Sequence, residues 1–454
     1  MLLVFSAYGE FCSIAQRMQE EGTPVYLYIH EPDYRQRFDG ILHNKVKLGG
    51  LEAALKKCDD VLFDITVQNR KRPVDTNLLE KFGLSKNEKD LFGPIADKLK
   101  KPVYSKRVSG ASRLASKIEW DREYGIKLAE KCGLDILPYV TFKTVDETVK
   151  FLDSSDGKKN LWVMKPWGDK EIEWTYVESF PGELTDILKT NILRRFGNNF
   201  PLMLQEAVEG GVEYATEQWQ DSGNDPVFYT RTLESKKLAD GNMSRSTGSQ
   251  LNCYWVTNNL DKRMKDAFDK LNRIMDDDYV GMHDLNCIYK EDKRWFLEHT
   301  RRYGWSSTKT ACALVPKGQL STFIMCGYRA LFRPGQVANS ETVSLWPYPS
   351  QNDKEIEENV KGNMINHKLS ELPDAWLNDV YVDDYGQLRA CGSSGEIGEV
   401  IGVGDSIDSS IDRLYRRLGK LQITGNIQYR TKHDHTEQID KRIKLLKKWE
   451  VELF

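Results

Sequence analysis

Residues 283–304 read HDLNCIYKEDKRWFLEHTRRYG. Two runs of alternating apolar and polar residues, His283–Tyr289 and Arg294–His299, flank the charged joint Lys290–Lys293. A period of two marks half-buried strands, and a short polar joint between them marks a hairpin. In such a hairpin Asp284 and Glu298 can face one side. Two carboxylates aimed at one point make a hard oxygen site suited to Mg2+, which takes carboxylates together with substrate phosphates. Arg301 and Arg302 follow at once and can clamp a phosphoryl group or a carboxylate. Solvated acids on an ordinary hairpin are the plain alternative, so the neighbouring segments decide.

Upstream, Leu161–Lys165 (LWVMK) is an apolar strand ending in a lysine. The turn Pro166–Lys170 carries Gly168, and alternating Ile172, Trp174 and Tyr176 read as the partner strand. A strand-end ammonium facing such a turn suits a nucleotide phosphate: Lys165 is a point charge, and the turn adds N–H donors and Lys170. Leu202–Glu206 (LMLQE) is another strand, with Gln205 and Glu206 at its end and Glu213 after Gly210-Gly211. An extended connector there offers N–H and C=O groups to an adenine edge, and a carboxylate can accept from ribose hydroxyls. Lys236-Lys237 and the segment Asp240–Ser249 (DGNMSRSTGS), which contains Arg245, read as a flexible, donor-rich loop able to close over a charged centre. Each feature alone also reads as ordinary surface; their order in the chain is what gives them weight.

The chain has 454 residues, enough at roughly 100–200 residues per domain for two to four packed units. Apolar residues make up 40% and charged residues 29%, which excludes a disordered chain. The balance of 65 basic and 68 acidic residues, net −3, leaves no global field for nucleic acid or an anionic membrane. Eight scattered cysteines without CxxC and seven histidines without HExxH signal neither a disulfide framework nor a zinc site. The start, MLLVFSAYGEF, reads as a first strand rather than a signal peptide, and no run of 18 apolar residues occurs. The expectation is a cytoplasmic, reducing-compartment protein with no membrane span.

Short buried runs at Met1–Phe5, Val25–Ile29 and Val61–Ile65 alternate with helical stretches, the mark of β-α units around a parallel sheet. Residues 1–105 therefore read as a Rossmann-like unit, although the first turn lacks GxGxxG and with it a dinucleotide fingerprint. The pattern predicts a helix over Glu119–Cys132 stopped by Gly133, a strand at Tyr139–Phe142, a helix at Val145–Leu152, and strands at Val212–Gln218 and Val227–Thr232. A helix follows at Met264–Met275, and a helical run spans Thr310–Leu331. Pro334–Asp374 has no readable pattern. Gly398–Val403 reads as a strand, Ser406–Leu418 as an amphipathic helix, and Thr436–Trp449 as a charged helix.

In this order the segments resemble those of the ATP-grasp enzymes, and more narrowly of the phosphoribosylamine–glycine ligase family. Asp121–Gly133 with Tyr139–Phe142 resembles the family's Ser-Lys-x-Phe helix and strand, with Arg122 where the family has an ATP-contacting lysine. VMK at 163–165 is similar to the family's VVK, and LQEAVEGGVEYA at 204–215 to its EEFLxGxE segment. FLEHTRRYG at 296–304 is similar to VIEFNxRFG, with Thr300 in place of the metal-binding asparagine. The tail 395–430 resembles the family's C-terminal domain and is the most family-specific match. The departures lie on the acceptor side: the N-terminal turn lacks the GxGGREH-like signature, and Trp305-Ser306-Ser307 replaces Asp-Pro-Glu.

The resemblance implies an α/β ATP-grasp fold. A Rossmann-like domain would occupy 1–105, an ATP-grasp domain 106–335 with its flap lobe at about 120–200, a C-terminal domain 336–435, and a charged helix 436–454. It implies ATP-dependent, ADP-forming amide synthesis from a carboxylate, such as glycine or another small amino acid, and an amine-bearing acceptor of nucleotide or sugar-phosphate type. Arg122, Lys165, Lys170, Gln205, Glu206, Val208 and Glu213 would bind ATP, with Glu206 and Glu213 in the adenine-hinge and ribose positions. Asp284, Glu298 and Thr300 would hold Mg2+, or Mn2+ in its place, and Arg302 with Lys236 or Arg245 would orient the carboxylate and its acyl phosphate. A homodimer fits the resemblance. Two rival readings are a non-catalytic nucleotide-binding homologue and a nucleic-acid-modifying ligase, the latter prompted by basic and aromatic residues in Arg245–Trp255.

Overall fold

The five strands β1 (Leu2–Ser6), β2 (Val25–Ile29), β3 (Lys45–Val46), β4 (Asp60–Phe63) and β5 (Arg107–Ser109) form a wholly parallel sheet in the order β3–β2–β1–β4–β5. Their apolar residues are buried on both faces, as a parallel sheet covered by helices requires. The molecule is seen here in a computed structural model that describes all residues except 67–72, 168–174, 222–225, 276–277, 326–331, 333–334, 351, 373 and 454. The α/β class read from the sequence holds.

A second, antiparallel sheet has the order β6 (Tyr139–Phe142), β9 (Leu202–Glu206), β7 (Trp162–Pro166), β8 (Tyr176–Val177). It has its own small core of Val145, Leu152, Trp162, Met164, Leu184, Leu188 and neighbours. The strand ending in Lys165 and its antiparallel partner at Tyr176 are as the sequence suggests. Gly168, Lys170, Ile172 and Trp174 lie outside the described residues.

The third sheet is the largest. It runs β14 (Lys293–Thr300), β13 (Gly281–Lys290), β10 (Val212–Gln220), β11 (Pro226–Ala239), β12 (Met243–Thr257), β15 (Val337–Leu345), β19 (Glu396–Gly404), β16 (Ala375–Leu377), with β20 (Ile427–Gln428) on β15. A separate hairpin joins β17 (Val380–Val382) to β18 (Leu388–Ala390). The sheet thus passes without a break from the central segments into the C-terminal ones through the β12–β15 pairing, Leu251 opposite Glu341.

Four sequence readings are corrected. The helix over Glu119–Cys132 is two helices, Arg113–Trp120 and Arg122–Cys132. Asp121 separates them because its carboxylate accepts from Tyr124 N at 3.0 Å and caps the second helix. Gly133 ends that helix in the left-handed conformation, φ 92°, as expected. The segment Asp240–Ser249 is not a loop: only Asp240–Asn242 turns, and the rest belongs to β12. The turn is pinned to the C-terminal helix Lys432–Lys448, since Thr431 donates to Asp240 (3.0 and 2.6 Å), Gly241 N to Asp434 (2.8 Å) and Asn242 to Gln438 (2.9 Å).

The third correction is β15, hidden in the stretch that showed no pattern. All nine of its residues are buried although five are polar. Four of these five side chains are paired: Glu341 accepts from Gln250 (2.9 Å) and Arg430 N (2.8 Å), Asn339 donates to Ser410 (2.6 Å), Ser340 accepts from Thr310 (2.9 Å), and Thr342 donates to the Ser249 carbonyl (3.0 Å). The helical run Thr310–Leu331 is, among the described residues, two short helices at Ser307–Ala313 and Leu320–Ile324. Among the described residues, no helix is long and apolar enough to cross a membrane.

Candidate active site

Alternation along the strands of the large sheet sorts its two faces. Val212, Tyr214, Leu233, Leu285, Cys287 and Tyr289 point to one side, where they pack with Met264, Phe268 and Leu271 of the helix Lys262–Ile274 and Ile439, Ile443 and Leu446 of the C-terminal helix. Their neighbours in sequence must therefore point to the other side. Register supplies the rest: Glu217 lies opposite Asp284, Ala215 opposite Asn286 and Thr232, Asn286 opposite Glu298, and Asp284 opposite Thr300. Directly opposed residues share a face. One face thus carries Glu213, Glu217, Asp284, Asn286, Glu298 and Thr300, and Glu234 and Lys236 of β11 join them.

Lys236 is the hub of this face. Its ammonium lies 2.7 Å from Glu213, 3.4 Å from Glu298 and 3.7 Å from Glu234. The acids surrounding Lys236 overcome its burial and raise its pKa well above the usual lysine value. In turn Lys236 holds the Glu298 carboxyl down to about 2, helped by Lys165 and Arg122 and opposed by burial. Asn286 donates to Glu213 at 2.7 Å. Glu217 accepts from Thr232 at 2.9 Å and from Thr230.

A cavity of about 40 Å³ lies among Glu213, Glu217, Glu234, Asp284, Asn286 and Ser307. Oδ1 of Asp284 and Oδ1 of Asn286 are buried without a hydrogen-bond partner among the described residues. Burial and the charges of Glu217, Glu298 and Glu234 push the Asp284 carboxyl far above its usual range. Orphaned oxygens beside carboxylates are a donor set that fits a hard divalent cation. Among the described residues no three His, Cys, Asp or Glu side chains converge closely enough to hold a metal unaided.

The small sheet brings the other half of the site. Lys165, at the end of β7, is 7% exposed, and its ammonium donates to Gln205 Oε1 at 2.8 Å. Burial, then the nearby Arg122, lowers its pKa to about 8, while Glu298 and Glu213 pull the other way. Arg122 owes its place to the break at Asp121, which makes it the first residue of its helix. Lys165, Arg122, Lys236, Glu213 and Glu298 are therefore one electrostatic group drawn from two sheets and the start of a helix.

The remaining sequence-predicted residues are placed unequally. Glu206 accepts from Asn160 at 2.8 Å at the end of β9, and Val208 follows in the connector to β10. Gly211 is required there, because a Cβ would stand 2.3 Å from Ile288 Cγ2 and 3.1 Å from Val208 Cγ1. Glu213, read as a ribose ligand, has its carboxylate engaged by Lys236 and Asn286. Arg302 is anchored: its guanidinium donates to Glu119 at 2.9 to 3.1 Å and to the Tyr303 carbonyl at 3.1 Å. Arg245 is exposed near the outer end of β12, and no hydrogen bond or ion pair joins it to the cluster among the described residues. Lys170 lies outside the described residues. Glu217, Glu234, Asn286 and Ser307 were not legible as site residues; the only sign was period-two placement of Glu213, Ala215 and Glu217 within one strand.

No protein-family model and no curated protein sequence matches the chain. Solved structures do match it in fold, and that fold is ATP-grasp. The structure of phosphoribosylamine–glycine ligase from Thermotoga maritima is similar with a TM-score of 0.66 at 17% identity, over 94% of this chain and 98% of that one. Biotin carboxylase from Campylobacter jejuni follows with 0.61 at 11% identity, over 98% and 96% of the two chains. N5-carboxyaminoimidazole synthetase from Staphylococcus aureus gives 0.52 at 10% identity, over 92% and 97%. At these identities the likeness establishes the fold.

Proposed function

We propose that this chain is an ATP-dependent, ADP-forming carboxylate–amine ligase. The acid's carboxylate takes the γ-phosphoryl group and becomes an acyl phosphate; an amine then displaces phosphate and an amide forms. This chemistry requires positioning and neutralisation of phosphoryl charge rather than a covalent protein nucleophile. The observation that carries the reading is the meeting of Lys165 and Arg122 from one side with Lys236, Asp284 and Glu298 from the other.

Lys165 and Arg122 hold the phosphates, and Lys170 closes over them. Gln205, Glu206 and Val208 form the adenine connector, with Glu213 reaching the ribose. Asp284 and Glu298, with Thr300 on the same face, hold Mg2+, which when bound supplies charge neutralisation to the phosphoryl group. Arg302 orients the acid together with Lys236 or, as the alternative cation on the same hairpin, Arg245. The acid is glycine or another small amino acid. A closed flap keeps water from the acyl phosphate.

The test is ADP release with a panel of amino acids, with hydroxylamine as a general acceptor. Hydroxylamine displaces phosphate from the acyl phosphate and leaves a hydroxamate, so activation is read without knowledge of the natural amine. ADP and hydroxamate formed together with one acid support the reading; no release above background with any acid rejects it.

A further inference from the structure

A second acidic cluster lies behind the first, between the ends of the N-terminal strands and β19. It contains Glu10, Asp64, Asp379, Glu396 and Glu399, with two cations, Arg37 and Lys309, all at least nine-tenths buried. Arg37 is taken by Glu10 (2.8 Å) and Asp379 (3.1 Å), and Lys309 by Glu399 (2.9 Å). The hydrogen bonds to what remains come from neutral groups, with Lys309 acting on Glu10 and Glu396 from further off. Glu396 accepts from the Trp305 indole (3.2 Å) and the Tyr348 hydroxyl (3.3 Å). Asp64 accepts from Ser6 and from Ala7 N at 3.1 Å. Oε2 of Glu10, a residue 6% exposed, accepts from nothing among the described residues. A buried carboxylate oxygen without a donor is costly, and a group kept in that state calls for an explanation.

The same residues speak against an anion. In parallel sheets the turn after the first strand can offer its N–H groups to phosphate. Here those donors are spent inside the protein: Ala7 N goes to Asp64, and Gly9 N to Ser6 Oγ at 2.6 Å. A phosphate would meet Glu10, Asp64 and Glu396 in their place. An organic cation would meet three acceptors and, beside them, Trp305, which is 39% exposed and directs its indole N–H at Glu396. The cluster also adjoins the reaction centre. Asp64 and Glu298 both act on Arg302, Ser306 donates to Glu399 at 2.6 Å, and the next residue, Ser307, lines the cavity beside Asp284.

We infer that this cluster, entered past Trp305, receives the acceptor, and that the acceptor is an unphosphorylated organic cation such as an aliphatic diamine. The inference rests on the ligase reading, which it deepens by naming the amine's class. Glu10 and Glu396 hold the acceptor's ammonium, and Trp305 covers it.

The experiment is calorimetric titration of the full chain with 1,4-diaminobutane and, separately, with glucosamine 6-phosphate, each in the presence of ATP. The expected result is binding of the diamine at least roughly tenfold tighter than the phosphorylated amine, with that preference lost in Glu396→Gln and in Trp305→Leu. Glu10→Gln is the direct variant, but it also loosens Arg37; the Glu396 carboxylate accepts only from Trp305 and Tyr348, and intact ATP binding in its variant reports that the fold is kept. Equal or tighter binding of glucosamine 6-phosphate, no diamine binding, or unchanged preference in both variants overturns the inference. ATP affinity measured alongside separates the two ideas: absent ATP binding counts against the ligase reading, and lost amine preference with intact ATP binding counts against this cluster.

Discussion

The ammonium of Lys236 stands 3.4 Å from the carboxylate of Glu298, between strands β11 and β14 that never pair with each other. Two strands separate them in the sheet, so the contact exists only because side chains from β11, β10 and β14 lean over one cleft. Lys236 occupies the centre of negative charge that a cation–phosphate complex would enter.

Glu298→Gln removes the acid that Lys236 holds ionised. ADP formation should fall by roughly a hundredfold or more, while far-ultraviolet circular dichroism stays that of the parent. Full turnover in the variant would remove Glu298 from the metal-holding set.

Lys165→Ala should weaken ATP binding by roughly ten- to a hundredfold, the range for a lost charge-assisted contact. The loss also frees Gln205, whose Oε1 is its partner. Unchanged nucleotide affinity in an equilibrium titration would count against the position of the phosphates.

The pH dependence follows from the same lysine. Its pKa in the folded chain lies at about 8 against an ordinary 10.5, with burial the main cause and Arg122 next. Above pH 8 the free protein loses this charge, so ATP affinity should decline as pH rises through that value. Lys165→Gln should bind weakly with no such inflection. Stability moves the opposite way: the unfolded chain binds the extra proton between about pH 8 and 10.5, so the cost of burying the charge, fully present below pH 8, is relieved across that window.

Arg37 bridges the N-terminal and C-terminal parts through Glu10 and Asp379, with all three side chains nearly inaccessible. Arg37→Ala strands two carboxylates in the interior and should cost about 3–5 kcal/mol in denaturant unfolding. A loss within 1 kcal/mol, on the order of a surface pair, would contradict that role.

Much of this arrangement was legible locally. The parallel unit followed from short apolar runs spaced by helical stretches. The strand-end Lys165 and the Asp284–Glu298 hairpin followed from alternation and a polar joint, since in a strand facing is a matter of counting by two. Glu217 and Glu234 were not legible, because each lies within a long strand and gains its neighbours only through the register of β10 with β11 and β13. β15 was unreadable for a related reason: Asn339, Ser340 and Glu341 look solvent-facing, and only partners distant in sequence make their burial tolerable. Asp240–Ser249 looked mobile because glycine and serine carry little local preference, and its order comes from the C-terminal helix.

The sequence by itself determined the fold class, the β-α alternation of the N-terminal unit and the charged residues at strand ends, all of which depend on neighbours within a few positions. Only the tertiary structure decided which carboxylates share a cleft, which arginines are already paired, and that the turn after β1 spends its donors on Asp64. Those facts depend on strand register and on contacts between residues tens to hundreds of positions apart, and no local pattern encodes the distance between them.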